Sequence, residues 1–295
     1  MPEDFYRVLV RFAWALFVVA AIGLFGLGAG MARYLGATLD ASRYLVGQVW
    51  VLGILFATYF LRRYFDDRDA AANLGRKLWR FLPWKMALLT GAAAGLTTSA
   101  AMTFLLIRAG SVSQGLLLIL IGGFVGAVAF GVPPLKLVER GFGDLLLSVM
   151  LSAGVPSIAF LLLFGEYHRF LPMATFPLGV MNLAMLVAYG FPRFAVDRAS
   201  ERNTLLIRMG WQNGMLLHNV LILVVFLLVG LAAVFDFPSF AAFPSFLLLP
   251  LAIIQVFLML RVASGAKPNW NAITLGPTAL YAILVYIFAF SFWTH

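Results

Sequence analysis

Residues 211–234 read WQNGMLLHNVLILVVFLLVGLAAV, a run without Asp, Glu, Lys or Arg. A helix needs about 20 apolar residues to cross the hydrocarbon core of a bilayer, so this segment predicts a membrane-spanning helix. The same window finds further segments of this kind along the whole chain. The predicted spans are 9–31, 44–61, 85–107, 112–132, 144–164, 170–191, 211–234, 243–261 and 272–293. The predicted fold class is therefore all-α, a single polytopic membrane bundle of nine transmembrane helices over residues 1–295.

The composition excludes most other classes of protein. Of 295 residues, 63% are hydrophobic and 11% are charged, whereas a soluble domain has roughly 25% charged residues. A membrane β-barrel is excluded because its strands alternate apolar and polar residues, and these apolar runs are continuous. The chain has no cysteine, which removes disulfides, iron–sulfur clusters and zinc–thiolate sites.

The distribution of positive charge predicts the orientation. With the N-terminus inside, the inner segments hold 17 of the 21 Lys and Arg residues and the outer segments hold 4. Inner loops of membrane proteins are enriched in Lys and Arg, so we predict an N-in, C-out topology in a bacterial cytoplasmic membrane, with the N-terminus cytoplasmic. The net charge of +9 is then an orientation signal, and no nucleic-acid partner is expected.

Two charged segments, 62–80 and 193–208, leave the same predicted face of the membrane. Both contain the pattern R-aromatic-x-x-D-R-x4-N, beginning at Arg63 and at Arg193. Carboxylates gathered at a membrane face can hold Mg²⁺ together with substrate phosphates, and arginines bind phosphate through paired hydrogen bonds. This chemistry suits a substrate with a diphosphate head and a lipid tail. The alternative is that the charges are solvated loop charges that pair with one another at i,i+4 spacing.

Three motifs in this order and topology resemble the UbiA superfamily of intramembrane prenyltransferases. After the second span, Tyr64-Phe65-Asp66 is similar to the family's Asn-Asp-Tyr-Phe-Asp. Between spans four and five, residues 133–137 (PPLKL) and 140–144 (RGFGD) are similar to Pro-Pro-Leu-x-Leu and Arg-Gly-x-Gly-Glu. After the sixth span, Asp197-Arg198 precedes residues 204–210 (TLLIRMG), similar to the family's Thr-Leu-x-x-Arg-x-Gly.

The resemblance implies a UbiA-like fold and a Mg²⁺-dependent prenyltransferase. Such an enzyme ionises an allylic prenyl diphosphate and transfers the prenyl group to a lipophilic aromatic or ring acceptor. The implied catalytic residues are Asp66 and Asp197, and the implied Mg²⁺ ligands are Asp66, Asp67, Asp69 and Asp197. The implied diphosphate-binding residues are Arg62, Arg63, Arg68, Lys136, Arg193, Arg198 and Arg202.

The chain departs from the family at arginines. Arg62 and Arg63 stand where the family has Asn-Asp, and Arg193 stands where the second motif has its first Asp. An arginine in place of a carboxylate repels a divalent cation. Three hypotheses follow. In the first, the remaining carboxylates hold Mg²⁺ in an active enzyme. In the second, the arginines bind an anionic lipid or diphosphate directly. In the third, catalysis is lost, and the bundle binds a lipid, quinone or pigment as a subunit of a larger membrane complex.

A transporter is the alternative from another functional class. Ionisable groups at the centre of the membrane usually mark ion paths, and the predicted spans lack such charges. Three uncharged polar residues, Asn182, Asn213 and His218, are candidates for groups that face a cavity in the bundle. The alternative for each is a hydrogen bond between helices. Membrane lipids are expected partners of the whole surface.

Overall fold

The structure is a computed structural model that describes residues 3–66, 78–199 and 202–295, with side chains described for residues 14–66, 83–199 and 202–295. Within these residues, nine helices are long and apolar enough to cross a membrane. We label them α1 to α9 in chain order. They are α1 Glu3–Tyr34, α2 Ala41–Tyr64, α3 Leu78–Arg108, α4 Gln114–Gly131, α5 Gly143–Phe164, α6 Phe170–Ala199, α7 Trp211–Val234, α8 Ser239–Ala263 and α9 Trp270–Thr294.

The prediction of an all-helical bundle with nine spans is confirmed for the described residues. The main difference is at the end of α6, where the sequence predicts that the span ends near residue 191. In the structure, a 3₁₀ turn at Phe191–Arg193 carries the helix on through Phe194–Ala199. The tighter turn accommodates Pro192, which has no N–H to donate. The segment that begins at Arg193 is therefore helical, and its charged side chains recur with helical spacing.

Helix α5 contains a π-helical turn. It runs as an α-helix over Gly143–Val149, continues as a π-helix over Met150–Gly154, and returns to an α-helix over Val155–Phe164. The wider turn contains one more residue than an α-helical turn and so changes the faces that the flanking residues present. Ser148 and Ser152, four residues apart across this turn, are both buried in the bundle.

Helix α2 packs along α3 through small residues. A Cβ atom on Gly95 would lie 2.7 Å from the carbonyl oxygen of Gly53, so the two backbones are in direct contact there. The Ser99 hydroxyl donates a hydrogen bond of 3.1 Å to the carbonyl oxygen of Trp50. Close packing of small residues is how membrane helices gain dispersion contacts without a hydrophobic driving force. This contact fixes α2, whose last turn carries Arg62.

We expect Gly95→Ala to destabilise the protein by about 1–3 kcal/mol, because the added methyl group meets backbone atoms that cannot move aside. Thermal unfolding in detergent measures the effect. The control is Gly230→Ala in α7, where the nearest atom, Cζ of Phe246, lies 3.7 Å from the added Cβ. Equal melting temperatures for the two variants would contradict the close α2–α3 contact.

Candidate functional site

Charged residues from four parts of the chain meet at one end of the bundle, which we call the charged end. They come from the last turn of α2 and the residues after it, the α4–α5 connection, the first turn of α5, and the end of α6 with the residues after it. The cations are Arg62, Lys136, Arg193 and Arg202, and the carboxylates are Asp66, Glu139, Asp144 and Asp197. Both signs of charge are therefore present together at this end of the described part of the chain.

Arg202 joins three of these parts. One of its terminal nitrogens, Nη2, donates to Oδ1 of Asp66 at 3.0 Å and to Oε1 of Glu139 at 3.3 Å. Its backbone N–H donates to the carbonyl oxygen of Asp197 at 3.0 Å. The Arg202 side chain is 9% exposed and that of Asp66 is 8% exposed, so this ion pair is withdrawn from water. Arg202 thus connects the end of α2 to the α4–α5 connection and to the end of α6.

Lys136 extends the same network. Its ammonium group lies 3.0 Å from Oε2 of Glu139, the carboxylate that also pairs with Arg202. The backbone of Lys136 is left-handed, with φ of 39°, an uncommon conformation for a residue other than glycine. Residues held in such conformations cluster at binding and catalytic sites. The α4–α5 connection therefore places one cation and one carboxylate at the charged end.

A second group of charges lies around Arg62. Its guanidinium group interacts electrostatically with two other arginines, Arg193 and Arg202, and with the carboxylates of Asp66 and Asp144. Asp144 interacts in turn with Arg193 and Asp197. Arg62 thus lies near two other arginines and near two carboxylates that partly offset their charge.

The structure brings together six of the residues that the sequence singled out for the site: Arg62, Asp66, Lys136, Arg193, Asp197 and Arg202. Arg198 is exposed on the helix surface, and Arg63 is half-buried. Asp67, Arg68 and Asp69 lie outside the described residues. Two carboxylates of the site were missed, Glu139 and Asp144. Their position in the sequence could have identified them. Both follow Pro133-Pro134, after the fourth span, on the same predicted face of the membrane as the segments 62–80 and 193–208.

The described carboxylates do not fit a magnesium site by themselves. No group of three or more His, Cys, Asp or Glu residues in the described part of the chain is placed to hold a metal ion. Asp66 is paired with Arg202, and Asp144 interacts with Arg62 and Arg193.

An apolar cavity of about 430 Å³ lies between α2, α4 and α5. It extends from Trp50 and Ile158 to Thr58 and Phe130, and apolar side chains form almost all of its lining. The guanidinium carbon of Arg62 lies 5.9 Å from the centre of the Phe130 ring. The cavity therefore ends beside one of the arginines of the charged end, so that an apolar space and a cationic group are adjacent.

The three uncharged polar candidates have different surroundings. His218 is fully buried, and its Nδ1 lies 2.9 Å from the carbonyl oxygen of Ala184, while the Gln255 amide nitrogen lies 3.2 Å from its Nε2. An amide NH₂ only donates, so Nε2 accepts and Nδ1 carries the proton. His218 thus connects helices through hydrogen bonds. Asn213 is exposed and donates to the carbonyl oxygen of Met209 at 3.0 Å.

Asn182 is different because it is 0% exposed and its amide atoms make no hydrogen bond of ordinary geometry, although the amide interacts with the Tyr281 hydroxyl. A buried polar group without a partner costs about 1–3 kcal/mol. Most such groups in proteins are satisfied, so each exception points to a local role.

The fold and the site define a helical integral membrane protein with nine candidate spans among the described residues and a cluster of cations and carboxylates at one end of the bundle. A comparison of the chain with models of known protein families and with curated proteins gives no match. Function is therefore argued from the site.

Proposed function

We propose that this protein is a UbiA-like intramembrane prenyltransferase. The observation that carries the proposal is the apolar cavity of about 430 Å³ that ends beside Arg62, at an end of the bundle where four cations meet. An allylic prenyl diphosphate has the matching chemistry, since its chain is apolar and its head is a strong anion. In this proposal the charged end faces the cytoplasm of a bacterial cell, as the distribution of Lys and Arg predicts.

The residues of the charged end would act on the head of the donor. Arg62, Arg193 and Lys136 bind the diphosphate and stabilise the charge that develops on it as the bond to the first carbon of the chain breaks. The electron pair of that bond leaves with the diphosphate. A ring carbon of the acceptor forms the new carbon–carbon bond and then loses its proton, and Asp197 is the carboxylate that we assign to accept it. Since the described carboxylates do not fit a metal site, no step is assigned to Mg²⁺.

The decisive experiment measures pyrophosphate release by purified protein in lipid nanodiscs. Allylic diphosphates of increasing chain length are supplied with a naphthoquinol acceptor, in the presence of Mg²⁺ and in the presence of a chelator. We expect release with at least one chain length. Absence of release at every chain length, with and without Mg²⁺, would overturn the proposal of an active prenyltransferase.

A second candidate is a membrane subunit that binds an anionic lipid or quinone in a larger complex without catalysis. The ion pairs of Arg202 with Asp66 and Glu139 favour this candidate, because these carboxylates are then already paired with a cation of the protein. Tight donor binding with no pyrophosphate release, together with stable co-purification of other membrane subunits, would support this candidate over the enzyme.

We expect Gly122→Phe to impair use of a long donor more than use of a short one. Gly122 lines the exposed rim of the cavity, and a Cβ atom there would meet no other atom within 4 Å, so the ring fits without a clash beside the space proposed for the chain. Displacing about two methylene groups, at about 0.8 kcal/mol each, raises KM about tenfold. Steady-state KM values for geranylgeranyl and geranyl diphosphate provide the measurement.

The control for this variant is Gly115→Phe on the same helix, a residue that is exposed like Gly122 but does not line the cavity, with the nearest atom 4.0 Å from the added Cβ. An equal change for both donors in the Gly122 variant would show that the chain lies elsewhere.

A further inference from the structure

Two carboxylates from different parts of the chain converge on one nitrogen atom of Arg202. Its Nη2 lies 3.0 Å from Oδ1 of Asp66, just after α2, and 3.3 Å from Oε1 of Glu139, in the α4–α5 connection. In a carboxylate metal site, two such groups from separate segments share one divalent cation. Here they share a guanidinium group that belongs to the protein itself.

The geometry and burial of this pair fit a guanidinium rather than a divalent cation. Both contacts of Nη2 are hydrogen bonds, whereas Mg²⁺ holds its oxygen ligands at about 2.0–2.1 Å. The side chains of Arg202 and Asp66 are 9% and 8% exposed, so the pair is withdrawn from water. A divalent cation at Asp66 would therefore displace a buried guanidinium or lie beside a like charge.

Arg202 is held through its backbone as well as through its side chain. Its N–H donates to the carbonyl oxygen of Asp197, near the end of α6, at 3.0 Å. Glu139 is held in turn, because its other oxygen, Oε2, lies 3.0 Å from the ammonium group of Lys136. Arg202 is thus a cation in a fixed position, and a fixed charge needs no rearrangement when negative charge develops beside it.

Arg202 lies close to the place where the proposed function puts an anionic head. It is in electrostatic range of Arg62, which lies beside Phe130 at the end of the apolar cavity. The contacts to Asp66 and Glu139 both use Nη2, and a guanidinium has three further N–H groups, on Nη1 and Nε. Those groups can donate to an oxyanion while Nη2 stays bound to the carboxylates.

We propose that Arg202 takes the place of a divalent cation at the charged end. Asp66 and Glu139 are then positioning residues that hold the guanidinium toward an anionic head. Asp66 is not a Mg²⁺ ligand, in contrast to what the resemblance to the UbiA superfamily implies. That the anion is a diphosphate rests on the proposed function, whereas the replacement of a metal ion by Arg202 rests on the buried ion pair.

The first measurement asks whether Asp66 binds a divalent cation. Mn²⁺, a paramagnetic substitute for Mg²⁺, is titrated into the purified protein in nanodiscs of zwitterionic lipid and followed by electron paramagnetic resonance. We expect Asp66→Asn to leave Mn²⁺ binding as it is in the unsubstituted protein, because the carboxylate is already paired with Arg202. A loss of Mn²⁺ affinity of about tenfold or more in Asp66→Asn would overturn the proposal.

The second measurement asks whether Arg202 binds the anion. Inorganic pyrophosphate is titrated into the same protein in the presence of a chelator and followed by calorimetry. We expect pyrophosphate to bind, and we expect Arg202→Lys to weaken it about tenfold. Lysine keeps the positive charge, but its single nitrogen cannot contact both carboxylates and the anion with the geometry of the guanidinium fork.

The matched control is Arg261→Lys, at an exposed arginine at the end of α8, which should leave pyrophosphate affinity unchanged. The melting temperature of Arg202→Lys should fall less than that of Arg202→Ala, since the positive charge remains beside Asp66. Pyrophosphate affinity in Arg202→Lys equal to that of the unsubstituted protein, or no binding in the presence of the chelator, would overturn the proposal.

The two measurements also separate this proposal from the proposed function. Pyrophosphate binding that needs Arg202 but no metal ion, without turnover of any allylic diphosphate, would overturn only the prenyltransferase. Turnover together with Mn²⁺ binding that depends on Asp66 would overturn only the replacement of the metal ion by Arg202.

Discussion

Arg202→Ala is expected to destabilise the protein by about 3 kcal/mol or more. The substitution leaves the Asp66 carboxylate, 8% exposed, without the guanidinium that lies 3.0 Å away, and it also frees Glu139. Removing one partner of a buried ion pair costs about 3–5 kcal/mol, because the remaining charge stays desolvated. The effect should be large because Arg202 holds three parts of the chain together at the charged end. Thermal or denaturant unfolding in detergent measures it.

A double substitution separates the ion pair from other effects. Asp66→Asn combined with Arg202→Gln removes both charges, so we expect it to recover part of the stability lost in Arg202→Ala. The control is Arg198→Ala, an exposed arginine near Arg202 in sequence, which should change stability by less than about 0.5 kcal/mol. Equal losses for Arg202→Ala and Arg198→Ala would show that the buried pair contributes no more than a surface charge.

The second large effect is expected for Arg193→Gln, which should lower kcat/KM for pyrophosphate release about 100-fold or more. Arg193 lies in electrostatic range of Arg62 and Asp144, where the proposal places the departing diphosphate. Removing one group that stabilises developing negative charge commonly costs about 100- to 1,000-fold in rate. Since the charge develops in the transition state, kcat should fall more than KM rises.

Arg261→Gln is the activity control for this variant. Arg261 is exposed at the end of α8 and has no part in the charged end described above. It should retain the rate of the unsubstituted protein. If Arg193→Gln also retains that rate while Asp197→Ala abolishes it, the carboxylates rather than the arginines carry the chemistry, and the magnesium-dependent reading becomes the better one.

The spans could be predicted from the sequence because each is encoded locally. An apolar run such as residues 211–234 forms a helix in the bilayer without needing contacts to other helices, because a helix satisfies all of its own backbone hydrogen bonds. The end of α6 could not be predicted in the same way. Pro192 and the charges from Arg193 onward indicate a loop by composition, yet the 3₁₀ turn at Phe191–Arg193 lets the helix continue. Local patterns do not reveal how a proline is accommodated.

Part of the candidate site could also be predicted, because charged residues are rare in this chain and concentrate in a few segments. Asp66, Asp197 and the arginines near them were found in this way. Their partners were not, because an ion pair between residues far apart in sequence depends on how helices pack. Arg202 with Asp66 and Glu139 is the clearest case. Asn182 and His218 make the same point, since both are buried polar residues and only His218 makes hydrogen bonds of ordinary geometry.

The sequence by itself determined that this protein is a bundle of membrane-spanning helices, and it located the segments where charge is concentrated. Whether a stretch of about 20 residues is apolar enough to cross a bilayer depends on that stretch alone, so the spans can be predicted from the sequence. The tertiary structure decided which charges meet at the charged end, and that an apolar cavity lies between α2, α4 and α5. Those properties depend on contacts between distant helices, where small residues such as Gly53 and Gly95 set how closely the backbones approach.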